Sequence, residues 1–148
     1  MVTDDAAVYT SIAHGLDLWY ARLGRQFGPL SRPQRRMLAA VASAASAIRV
    51  GDLAAELGLS MPGTTRMIDS LEALGYLRRT RAVGADQRQV HVALTPEGRS
   101  ALSDADRVFA ERVKVTLTQL DRADRAMLAQ LLTRLATDEP HDDGSLPG

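Results

Sequence analysis

A switch of hydrophobic period between residues 49 and 95 constrains this chain more than any other feature. Up to Leu74 the apolar residues recur every three or four positions, as on one face of a helix; beyond Gly75 they alternate, as on a strand. Val50 to Leu57 predicts a short helix with Leu53 and Leu57 as its stripe, stopped by Gly58, which can take the left-handed conformation of a helix end. Ser60 sits at an N-cap position, where its oxygen can accept from a free amide of the next turn. Thr64, Ile68, Leu71 and Leu74 then supply a buried face. Thr65, Arg66 and Asp69 fall on the other face, with Pro62 and Gly63 near the helix start. Two helices joined by a short glycine-containing turn form a helix-turn-helix. Tyr76 to Arg81 and the segment around Val90, Val92 and Leu94 read as paired strands around a loop over residues 82–88, a wing. Ile48 to Val50 is a candidate third strand. The second helix buries one side and presents short polar groups and an arginine on the other, which suits the major groove of duplex DNA.

The flanking segments read as helices. Val8, Ile12, Leu16, Trp19, Leu23 and Phe27 predict a helix over residues 4–27, ended by Gly28-Pro29. Ser31 caps a second helix running from Arg32 to about Ala45, with Met37, Leu38 and Val41 inward. Thr95-Pro96 opens a long helix to about Leu117, whose apolar positions include Leu102, Val108, Phe109 and Val113. Asp121 opens a last one to about Ala136, striped by Met127, Leu128, Leu131, Leu132 and Leu135. These end stripes exceed what a small core needs, so a homodimer joined through both chain ends is expected. The expected fold is mainly α with a small β-wing, a winged helix-turn-helix flanked by N- and C-terminal dimerisation helices. The expected divisions are 1–30 for the N-terminal dimerisation helix, 31–95 for the DNA-binding unit, 96–137 for the C-terminal dimerisation helices and 138–148 for a disordered acidic tail.

The ordered set LAAELGLS, TR, DSLEALGYLRR, D-Q-R and LTPEGR, with LSRPQRRML upstream, resembles the MarR family of bacterial transcription regulators over about residues 8–137. The resemblance implies a dimeric, ligand-responsive repressor that reads a pseudo-palindromic operator. It supports DNA contact by Thr65 and Arg66, the retained T-R pair. It places Arg88 in the minor groove, with Asp86 orienting nearby arginines. It also implies a small aromatic effector bound where the dimer helices meet the DNA unit; Trp19, Tyr20, Met37 and Arg49 are the candidates here. The chain departs from the family at Met61-Pro62-Gly63, where a polar residue is common, and at an apolar wing tip.

The net charge of zero does not oppose DNA binding, because the charge is unevenly placed. Residues 22–99 carry twelve arginines against six acids, while both ends are acidic. Screening over about 8–10 Å makes the local face decisive. Arg78, Arg79 and Arg81 lie on the first wing strand, where at least one should meet phosphate and one should be structural. Ser60 is a cap that can also meet a phosphate, and Pro62 and Gly63 complete the expected DNA face.

The chain has no cysteine, which excludes disulfides, thiolate metal sites and thiol sensing. His14, His91 and His141 are too scattered for a metal site, so neither metal nor cofactor is expected. No nucleophile elbow or phosphate-binding glycine loop occurs, and an enzyme is not expected. There is no membrane-length apolar run, and the acidic start lacks a signal peptide's features, so a cytoplasmic protein is expected. The rival reading is a winged-helix module for protein or ligand binding that lacks DNA readout, supported by the bland Met61-Pro62-Gly63 start.

Overall fold

Local capping signals open four of the helices. Ser31 and Gln34 form a reciprocal capping box, with Gln34 Oε1 accepting from the Ser31 amide at 2.8 Å. The oxygens of Ser60, Thr95 and Asp121 each accept from the amide three residues on. Such caps are worth roughly 0.5–2 kcal/mol each. The computed structural model describes residues 5–81 and 89–137. In chain order these form α1 (Asp5–Leu23), β1 (Gln26–Phe27), β2 (Leu30–Ser31), α2 (Arg32–Ser43), β3 (Ile48–Arg49), α3 (Val50–Leu57), α4 (Met61–Ala73), β4 (Leu77–Arg81), β5 (Val90–Leu94), α5 (Pro96–Thr116) and α6 (Arg122–Ala136). The fold is mainly α with a small antiparallel sheet, as the period switch predicts.

The candidate third strand is real. β3 joins the wing, giving the order β3-β5-β4, with Ile48 opposite Val92 and Arg79 opposite Val92 on the other side. α3 stops at Gly58, whose φ of 64° is the left-handed conformation expected there. α4 does bury Thr64, Ile68 and Leu71, but Leu74 is 53% exposed. It lies at the C-cap, where the chain leaves the helix for Gly75 and the last turn no longer faces the core.

The first helix is shorter than its stripe suggests. α1 ends at Leu23, and Phe27 belongs to a small antiparallel hairpin of β1 and β2. Gly24, with a φ of 80°, takes the left-handed conformation that ends a helix, and cations hold the carbonyls left there. Arg32 Nη2 donates to Tyr20 O and Gly24 O, and Arg112 Nη1 donates to Leu23 O at 3.0 Å. These cations satisfy orphan acceptors and oppose the negative helix end. Phe27 is then free to enter the core, edge-on to Phe109 at 5.1 Å between centroids.

The core joins Phe27, Leu30, Met37, Leu38, Leu53, Ile68, Leu71, Leu77 and Val92, each almost fully buried. Burying such a side chain stabilises by about 1.5–3 kcal/mol before conformational entropy is counted. α5 begins against this core. A Cβ on Gly98 would fall inside contact distance of Tyr76 O, so only glycine allows so close an approach. α1 and α6 differ sharply from this. α1 buries only Leu23, and α6 buries nothing. No described helix is long and apolar enough to cross a membrane.

Candidate nucleic-acid interface

The outward face of α4 is organised from its first turn. Ser60 Oγ accepts from Gly63 N at 3.2 Å, and Thr64 Oγ1 donates back to Ser60 O at 2.9 Å. Ser60 is therefore occupied as a cap, and Thr64 is buried. Pro62 stands in the first turn, where its missing N–H costs nothing. Thr65 and Arg66 are exposed. Arg66 Nε donates to Pro62 O at 3.3 Å, which lays the guanidinium along the helix toward its N-terminus.

The three arginines of β4 do different things. Arg79 faces α4. Its Nη2 donates to Asp69 Oδ1 at 2.5 Å, its Nη1 pairs with Glu72, and its amide donates to Glu72 Oε1 at 3.3 Å. The hydrogen bond with Asp69 is the main reason its pKa is raised; both carboxylates add to this and burial opposes it. Arg79 thus ties the wing strand to α4. It is the structural arginine of the set. Arg78 and Arg81 are exposed, on opposite faces of the strand by the alternation of side chains. Arg88 and Asp86 lie outside the described residues, as do residues 138–148.

Sequence reasoning placed Asp69 on the exposed face but missed its bond to Arg79, and missed Glu72. Two acids three positions apart on a helix beside an arginine-rich strand were the available signal. The positive charge of the segment is also less free than its count suggests. Arg32 holds carbonyls of α1 and stacks on Tyr20 at 4.7 Å. Arg35 pairs with Asp106 at 2.7 Å and lies 4.1 Å over Phe109. With Arg79 these are three internally committed cations of the twelve in residues 22–99.

A cleft of about 470 Å³ separates the start of α4 from the wing sheet, lined by Arg49, Val50, Met61, Thr65, Arg79 and Val90. The four expected effector-pocket residues are not gathered within one chain. Arg49 lines this cleft, while Met37 is fully buried in the core. Trp19 Nε1 donates to Thr116 Oγ1 at 2.9 Å between α1 and α5, beside a hollow of about 330 Å³ that Thr116 shares with Arg22, Arg107 and Arg112. Tyr20 lies against Arg32. Among the described residues no group of three or more His, Asp or Glu is placed to hold a metal ion.

This arrangement has known counterparts. The MarR family model matches residues 29–89. No curated protein sequence matches the chain. RV1404 from Mycobacterium tuberculosis is similar in structure, with a TM-score of 0.74 and 22% identity over 96% of this chain and 99% of that one. The transcriptional repressor CouR, solved bound to a 23-mer DNA duplex, gives 0.71 and 24% over 92% and 99%. BpsR of Bordetella bronchiseptica, whose DNA binding is regulated by 6-hydroxynicotinic acid, gives 0.68 and 24% over 85% and 98%. At these identities the likeness carries the fold.

Proposed function

We propose that this chain, whose residues 29–89 match the MarR family model, is a regulator of that family and acts as a dimeric, sequence-specific, duplex-DNA-binding repressor of transcription in the bacterial cytoplasm. The observation that carries this reading is the exposed face of α4, with Thr65 and Arg66 outward, held rigidly to a wing strand that exposes Arg78 and Arg81. α4 would enter the major groove. The wing would reach the minor groove through Arg88, where narrow tracts concentrate negative potential. Asp86 would orient those arginines, since a carboxylate is repelled by phosphate.

Dimerisation would use residues 1–30 and 96–137, the segments holding the uncovered stripes of α1 and α6. Ile12 is 54% exposed, Met127 57% and Leu135 80%. A twofold dimer would space its α4 helices about one helical turn apart on the duplex, and its operator would be a pseudo-palindrome. A small aromatic effector at the junction of α1 with the DNA unit, near Trp19 and Tyr20, would favour a dimer whose lobes are wrongly spaced. To act, it must bind that state more tightly than the DNA-competent one. CouR with DNA and BpsR with its nicotinate support both halves of this reading by analogy.

The test is selection of random duplexes by the purified protein, with sedimentation run in parallel. An enriched inverted repeat bound by a dimer is the expected result. Absence of any enriched duplex at low salt would favour the rival, a winged-helix module without DNA readout.

A further inference from the structure

The first turn of α4 lacks the hydrogen-bonding side chains with which such a helix usually reads base edges. Ser60 is consumed as the cap, Pro62 has no donor, and Gly63 has no side chain. What the turn does present is Met61, 50% exposed. Residues four apart lie in one row on a helix. The row through Met61 therefore continues to Thr65 and Asp69, and Met61 and Thr65 together line the cleft beside the wing. Asp69 closes the row, but its carboxylate is tied to Arg79. The row therefore offers a polarizable thioether, then a short side chain with a methyl and a hydroxyl, then a neutralised acid. The neighbouring row from Pro62 to Arg66 carries the guanidinium, with which no carboxylate pairs among the described residues.

In the major groove the one apolar mark on a base edge is the C5-methyl of thymine. We propose that Met61 determines specificity by packing on that methyl group at one T·A pair in each half-site, while Arg66 supplies the polar contact beside it. This rests on the DNA-binding reading above and names the base feature to which it responds. The bland start of the helix then becomes a readout of a different chemistry. A thioether has no hydrogen bond to give; it gains by removing an apolar methyl group from water, and it adapts its rotamers to do so.

The test uses the full-length protein and a duplex selected from a random pool. Each thymine is replaced singly by uracil, which removes the methyl group and leaves every hydrogen-bonding atom in place. At one position per half-site the wild type should lose roughly fourfold in affinity, the effect of one buried apolar carbon. Met61→Ala should bind more weakly overall and be indifferent to uracil at that position, while Met61→Leu should keep the sensitivity. Met61 is half exposed and outside the core, so neither variant should unfold; thermal melting checks this. If a duplex is enriched but uracil affects wild type and Met61→Ala equally at every position, the methyl readout is overturned and DNA binding stands. If no duplex is enriched, both are overturned.

Discussion

The DNA lobe and the end helices hold themselves together by different means. In the lobe, Leu53, Ile68, Leu71 and Val92 are completely buried within one chain. In α6, no residue is buried, and Leu131, Leu132 and Leu135 are 44%, 40% and 80% exposed. A helix of about fifteen residues is marginal alone in water, and no described residue of the chain buries this one. The lobe carries its stability internally; in the dimer proposed above, the ends would be covered by a second copy.

The sharpest break of this contrast is a charge on the uncovered stripe. Leu131→Asp with Leu135→Asp should turn a dimer into a monomer on sedimentation. It should weaken binding to a two-half-site duplex by about a hundredfold or more, since the two half-sites are then bound separately. Amide exchange in α3 and α4 should stay protected; its collapse would show that the lobe is not self-sufficient. Next, Ile68→Ala should cost about 2–5 kcal/mol in chemical denaturation through reduced burial and a cavity. In the monomeric background, Met127→Ala should change stability by only about 0.5 kcal/mol or less, as an exposed site does.

Within the lobe, the arginines of β4 sharpen the comparison further. Arg81→Ala should weaken DNA binding and flatten its salt dependence, by about 0.9 in the logarithmic slope for each phosphate that the arginine neutralises. Arg79→Met should weaken binding with the slope unchanged, because its charge is spent on Asp69 and Glu72. A flattened slope for Arg79→Met would show that it reaches phosphate after all. Within the lobe, a small effect is expected from Ser60→Ala, about 1 kcal/mol of stability through removal of the cap.

What could be read from the chain beforehand was what depends on near neighbours. The caps at Ser31, Ser60, Thr95 and Asp121, the stop at Gly58 and the alternation of the wing strands all rest on residues a few positions apart. The early end of α1 has a local signal in Gly24, whose φ is 80°, but the cation that holds Leu23 O could not be read, because it comes from Arg112, far along the chain. The same holds for Arg32, Arg35 and Arg79, which look free in a charge count and are committed in three dimensions. Trp19, Tyr20, Met37 and Arg49 lie apart within one chain, because a pocket implied by resemblance draws on residues far apart in sequence. Met37 fits the helical stripe of the core equally well, and the core is where it lies.

The seat of α5 has a mechanical consequence. Thr95 N donates to Tyr76 O, Thr95 Oγ1 donates to Gly75 O and accepts from Gly98 N, and Gly98 presses its backbone on Tyr76. Gly75 and Tyr76 are the very residues that leave α4 and begin the wing. The start of the long α5 is thus pinned to the turn that joins α4 to the wing. A tilt of α5 would therefore bear first on the residues by which the chain leaves α4.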